Sequence, residues 1–128
     1  MGARDLMAKL VRLDEVFWPL GGYGQWRPAC RSGHEINVDR PNRSGAQWTF
    51  DGDAAYPTFH PSVNLRWGSY ADPNFKPSSP DHDPSGVCHY TITRGKIAYA
   101  NDCTHALRGQ AVDLPNIPDD KYPTSERL

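Results

Sequence analysis

Val87-Cys88-His89-Tyr90-Thr91-Ile92-Thr93-Arg94-Gly95-Lys96-Ile97-Ala98-Tyr99-Ala100-Asn101 is the stretch that decides the fold of this chain. Two runs rich in β-branched and aromatic residues flank Arg94-Gly95, as in a two-residue β-hairpin, although a glycine in second place suits several turn types. Pairing Thr93 with Lys96 sets Ile92 opposite Ile97, Tyr90 opposite Tyr99 and Cys88 opposite Asn101. All four large apolar side chains then share one face. A slip of one residue would turn one strand's set to the other side, because strand side chains alternate with a period of two.

The register also sorts the reactive residues. Cys88 and Cys103 fall on one face, diagonally placed on neighbouring strands. His89 and Asp102 fall on the other, where a carboxylate can orient an imidazole through its Nδ1. His105 lies near enough along the chain to swing back to either set. For the thiols one reading is metal ligation completed by Cys30, His34 or His105, since zinc takes four N/S ligands at about 2.0–2.3 Å in a tetrahedron. The other is that these are small, inert core residues, and spacing alone leaves the two level. For His89 and His105 the functional reading is general base or ligand, against that of ordinary surface histidines.

Working outward, β signals dominate. Residues 58–67 are extended, because Pro57 and Pro61 exclude a helix and Val63, Leu65 and Trp67 fall on one face. Ser62 sits in this stiff segment. It needs a neighbouring base to act as a nucleophile and is otherwise an ordinary strand serine. Ile36 and Val38 alternate with polar residues after a Cys30-Arg31-Ser32-Gly33-His34 turn, and residues 47–50 make a short strand closed by Asp51-Gly52-Asp53. The N-terminal segment 1–22 carries apolar residues at helical spacing (Leu6, Leu10, Leu13, Phe17) and others that suit a strand (Val11, Leu13, Val16, Phe17), and is ambiguous. Residues 68–86, with Pro73, Pro77, Pro80 and Pro84, form a long loop, and loops of that length are usually functional or mobile. Within it, Asp81-His82-Asp83 reads as a solvated charge cluster. Trp18, Trp26, Trp48 and Trp67 are expected in the core. The expected fold is mainly β: a compact antiparallel sandwich or roll of about six to eight short strands with a long Pro-rich loop. Residues 23–115 make the single domain, and 116–128 form a polar tail expected to be flexible or to lie on a partner.

Composition excludes several function classes. A chain of 128 residues is one domain's worth. A net charge of −1 disfavours nucleic-acid binding through phosphate neutralisation, despite the local density of Arg27, Arg31, Arg40 and Arg43. No apolar run nears the ~20 residues that span a bilayer. The first thirteen residues carry Arg4, Asp5, Lys9 and Arg12 and lack a secretory signal's apolar core, so a cytoplasmic location in a host cell, or association with a virion, is expected. Three cysteines, an odd number, make no disulfide framework.

Several segments in order then carry a family likeness: Cys30-Arg31-Ser32-Gly33-His34-Glu35-Ile36, Trp48-Thr49-Phe50-Asp51-Gly52 and Tyr56-Pro57-Thr58-Phe59-His60-Pro61-Ser62-Val63. They continue with Val87-Cys88-His89, Gly95-Lys96-Ile97 and Asp102-Cys103-Thr104-His105-Ala106-Leu107-Arg108-Gly109-Gln110, ending at Leu114-Pro115. Over residues 23–115 the chain resembles a small phage and prophage family of unassigned function that often carries the label "ammonia monooxygenase". Relatives of that family stand beside bacterial ubiquitin-like conjugation genes. The label itself does not suit a chain this small. The resemblance implies a peptidase-like role on a ubiquitin-like tail. It also implies a metal ligand where this chain has Arg27, as members often carry Cys-Pro-Gly-Cys in place of Arg27-Pro28-Ala29-Cys30. Arginine stays protonated and cannot ligate zinc. Either His34 substitutes or the metal is lost, and His60, where members usually carry a small polar residue, is either a substitute ligand or a bystander.

Two functions follow as expectations. One is a small hydrolase, peptidase-like, acting on a protein or peptide. Ser62 is its nucleophile, His89 or His105 its base and Asp102 the orienting acid, with Thr104 or a backbone N–H near Gly109 holding the oxyanion. A zinc held by Cys30, His34, Cys88 and Cys103, with Glu35 or Asp102 as base, is its metal variant. The other is a non-enzymatic, zinc-stabilised accessory or interaction module.

Overall fold

The hairpin forms in the register read above: Tyr90 pairs with Tyr99, Thr91 with Ala98, Ile92 with Ile97 and Thr93 with Lys96. Arg94 and Gly95 take φ of 48° and 78°, and two successive left-handed residues make a type I′ turn, whose twist matches that of the strands it joins. Tyr90, Ile92, Ile97 and Tyr99 are all buried. Each side chain of this size contributes about 1.5–3 kcal/mol on burial, a large share of a domain's usual net stability of about 5–15 kcal/mol. That gain is why the register holds.

The computed structural model describes residues 8–14, 20–79, 81, 83–118, 121 and 127–128. Among them are two antiparallel sheets, of three and five strands, with no closed barrel. The smaller runs β1 (Val11–Leu13), β2 (Gly22–Arg27), β3 (Ser32–Asn37). The larger is a meander of β4 (Thr49–Phe50), β5 (Phe59–Trp67), β6 (Gly86–Thr93), β7 (Lys96–Tyr99) and β8 (Ala111–Asp113). The main core lies between the sheets: Ile36 of the first and Leu10, just before β1, meet Phe59, Val63, Cys88 and Tyr90 of the second and Leu114, just after β8. Buried Gln25 of β2 donates to the Tyr90 hydroxyl at 2.6 Å across this interface.

The ambiguous N-terminal segment contributes a strand, Val11–Leu13, while Leu6, Phe17 and Trp18 lie outside the described residues, as does His82. Of the tail, Ile117 is buried, Arg127 donates to the carbonyls of Ile117, Pro118 and Lys121, and Leu128 N–H donates to Leu10 O at 3.0 Å. Trp67 departs from its expected place in the core: it is 40% exposed. Near the end of β5 its ring lies against Gly86, where a Cβ would come within 2.5 Å of Cζ2, and its indole N–H donates to Pro84 O. The Pro-rich loop opens with a single 3₁₀ turn, Gly68–Tyr70.

Candidate active site

The outer face of the larger sheet carries the polar residues that the inner face cannot hold. Along β5, Val63 points inward while Ser62, Asn64 and Arg66 alternate outward. Between the pairs Phe59–Ile92 and Val63–Tyr90, three residues of β5 (His60, Pro61, Ser62) oppose Thr91 alone. Such a bulge re-aims side chains and is common beside active sites. Here it delivers Ser62 to His89, which stands on β6 opposite Asn64. The distance from Ser62 Oγ to His89 Nε2 is 3.2 Å.

Asp102 completes the row from the other side. Its Oδ1 and Oδ2 lie 3.2 and 3.3 Å from His89 Nδ1. Arg66 Nη2 donates to Oδ2 at 2.8 Å, fixing the carboxylate. The expected face-sharing of His89 and Asp102 is present, but not through a continued strand. β7 ends at Tyr99, and the chain turns so that the N–H groups of Cys103 and Gly109 both donate to Ala100 O. This turn is latched to His89 itself: Ala100 N–H donates to His89 O at 2.9 Å, Cys103 Sγ donates to the same carbonyl at 3.2 Å and accepts from His89 N–H at 3.3 Å. Cys103 therefore engages the backbone beneath the histidine, and Cys88 pairs elsewhere.

Cys88, on the inner face of β6, meets Cys30 from the β2–β3 turn with Sγ atoms 3.1 Å apart. Cys30, Cys88 and His105 bring their donor atoms within 4.8 Å of one another and are a set that can hold a metal. The hydrogen bond with Cys88 lowers the Cys30 thiol to about 6 against an opposing desolvation, with Arg27 adding to the effect, while Cys88 is raised. His105 Nε2 is buried without a hydrogen-bond partner among the described residues, as a ligating nitrogen would be. Its Nδ1 accepts from Leu107 N–H at 3.2 Å, so ligation through Nε2 requires a tautomer change and sacrifices that bond. Burial and the Arg27 charge lower the His105 pKa, which keeps the ring neutral for a metal. The set offers three donor atoms to a metal ion.

His34 is not in this group. It lines a cleft of about 520 Å³ beside Ser62, with Glu35 and Asn37 of β3 and Asn42, Ser44 and Trp48 on the adjoining wall. Burial, then Arg27, lowers its pKa to about 4. Arg27 itself donates to Ser32 Oγ at 2.6 Å. The expected oxyanion donors are already engaged: Thr104 Oγ1 donates to Val87 O at 3.4 Å while accepting from Val87 N–H at 3.0 Å, and Gly109 N–H is committed to Ala100 O. His60 is exposed on the bulge. Sequence reasoning missed Arg66 and Asn64, although their spacing of four and two residues from Ser62 puts all three on one strand face.

A family model described as bacterial ubiquitination-like system serine protease (BubE) matches residues 26–100, more than half of the chain. The chain belongs to the BubE family. Of the likeness read in the sequence, the link to ubiquitin-like conjugation is the part this match carries. The matched span holds Cys30, Ser62, Cys88 and His89 and stops just short of Asp102, Cys103 and His105. No curated protein and no solved structure matches the chain. No described helix is long and apolar enough to cross a membrane.

Proposed function

We propose that this chain is a serine peptidase, with Ser62 as nucleophile, His89 as general base and acid, and Asp102 as the orienting carboxylate. The observation that carries the reading is the continuous row Ser62 Oγ–His89 Nε2, 3.2 Å, and His89 Nδ1–Asp102, 3.2 Å. With the imidazole hydrogen on Nδ1, facing Asp102, the Nε2 lone pair faces the serine. Ser62 Oγ then attacks a substrate carbonyl carbon while Nε2 takes its proton. The proton passes to the leaving amine as the C–N bond breaks, and water repeats the sequence to release the acid. Asp102 stabilises the imidazolium and does not itself take the proton. Distances slightly above the usual hydrogen-bond mode are normal before substrate binds.

The substrate is a flexible protein tail, in keeping with the family's place in a bacterial ubiquitination-like system. A cleft of about 520 Å³ between β3 and β5 takes an extended segment of a few residues and excludes a folded domain. A fluorophosphonate should label Ser62, and Ser62→Ala should abolish labelling and turnover with the fold intact. An unlabelled wild type, or a Ser62→Ala variant with full turnover, overturns the reading.

The metal reading rests on a separate observation, the Cys30–Cys88–His105 set. Zinc there would clamp the β2–β3 turn to β6, a structural role on the opposite side of the sheet from Ser62. Elemental analysis of protein purified without a metal column should find about one zinc per chain, lost in Cys88→Ala. Metal-free protein with unchanged melting behaviour refutes it.

A further inference from the structure

We infer that Asn64 is a catalytic residue, whose side-chain amide donates to the oxyanion formed when Ser62 attacks a carbonyl; the inference rests on the serine peptidase reading above. Acyl transfer needs preorganised donors about 2.7–3.1 Å from the oxygen on which charge develops. When Ser62 Oγ bonds to the carbonyl carbon, the C=O π pair moves onto oxygen, and a donor must stand beside the nucleophile to meet it.

Elimination leaves few groups to do so. Pro61, immediately before the nucleophile, has no N–H. The Thr104 hydroxyl and the Gly109 N–H are engaged as described. Trp48 Nε1–H is spent on the Ser62 carbonyl at 3.3 Å. The Asn37 amide donates to Arg40 O and Ala46 O, both at 2.8 Å, and Arg66 is committed to Asp102. On Ser62's own strand the side chains left with N–H groups to give are His60, which precedes Pro61 on the exposed bulge, and Asn64, which follows Ser62 in the regular ladder; the Asn64 amide makes no hydrogen bond among the described residues.

Its placement is right for the task. Asn64 lines the same cleft as Ser62 and stands directly opposite His89 across the β5–β6 ladder. Two residues along a strand separate the Cα atoms of Ser62 and Asn64 by about 6.5–7 Å on one face. The tetrahedral carbon on Oγ and an amide N–H fill that span. An exposed asparagine in mid-strand contributes little to stability and is disfavoured by strand propensity, so nothing structural calls for it there.

The test measures hydrolysis of p-nitrophenyl butyrate and inhibition by phenylboronic acid, which forms a tetrahedral adduct on a serine, in wild type, Asn64→Ala and Asn64→Asp. Asp keeps the shape but has no N–H. Both variants should lose about 10²–10³-fold in kcat with KM within about twofold and an unchanged melting temperature, and the boronate should weaken by a similar factor. Retention of kcat within threefold in either variant, or a loss confined to KM, overturns the assignment. The two failures are distinguishable. If wild type is labelled by fluorophosphonate at Ser62 while the Asn64 variants keep kcat, only the oxyanion assignment falls. If wild type is not labelled, the peptidase reading falls and takes this one with it.

Discussion

Replacing Asp102 by Asn isolates the electrostatic part of the row, because the side chain keeps its size and loses its charge. At the 3.2 Å separation of Asp102 Oδ1 and His89 Nδ1, an ion pair is worth about 1.3 kcal/mol in a water-like medium and about 5 kcal/mol at the effective dielectric of a protein surface. The site lies between these limits, with His89 28% and Asp102 43% exposed at the side chain. The carboxylate interacts with the imidazolium formed as Ser62 attacks far more than with the neutral ring beforehand, so most of that energy appears in the transition state. About 2–3 kcal/mol corresponds to a fall of about 10²-fold in kcat, less than a deeply buried carboxylate would give, because water screens this one. The assay is the rate of fluorophosphonate labelling at Ser62, alongside ester turnover, in Asp102→Asn, His89→Ala and the double variant. The two losses should be strongly non-additive, since Asp102 acts only through His89. A single-variant rate within threefold of wild type, or simple additivity, refutes the coupling.

Arg66→Ala should slow turnover severalfold while leaving stability within about 1 kcal/mol, because the Arg66–Asp102 pair is about 40% exposed on both sides; activity and a melting curve on one sample check both. His34 gives a pH dependence. The unfolded chain takes up a proton there below about 6.5 and the folded chain resists until about 4, so stability should be full above the first value and fall as pH drops through the window. With partial exposure allowed for, the loss is on the order of 2 kcal/mol, and urea titrations at pH 7 and 4.5 should show it shrinking in His34→Gln. Tyr90→Phe strands the buried Gln25 amide, whose bond to the hydroxyl is 2.6 Å, and should cost about 1–3 kcal/mol in denaturant unfolding. Arg94→Asn should stabilise by about 0.5 kcal/mol, since Asn-Gly suits the two left-handed turn positions better, and a melting temperature that falls would contradict the turn assignment.

The hairpin was legible because its information is local. Alternation, a two-residue turn and four apolar residues leave one register that buries them together, and Tyr90–Tyr99 and Ile92–Ile97 are paired as that logic demands. From the same register His89 and Asp102 emerged as a pair, although through a premise the chain does not follow: a tight turn after Tyr99, not a continued strand, returns Asp102 to the histidine. Choosing between His89 and His105 lay beyond local pattern. His105 has its Nδ1 occupied by Leu107 and faces the two cysteines, a direction set by how residues 100–110 fold back. Trp67 shows the limit of composition, since large aromatic character by itself does not say which sheet face a strand end presents.

What the sequence by itself determined is the kind of molecule and the residues worth examining: a mainly β chain, a hairpin in one register, Ser62 directly after a segment stiffened by Pro57 and Pro61, and a His/Cys/Asp cluster at 88–105. These depend on chemistry within a few residues, where sterics and the period of two act directly. What only the tertiary structure decided is which residue meets which. The bulge that swings Ser62 onto His89, the strand spacing that gives Arg66 to Asp102, and the approach of the β2–β3 turn that gives Cys30 to Cys88 are contacts between segments 27 to 58 residues apart. Burial of one shared core sets such contacts, and no local rule encodes the relative placement of two sheets.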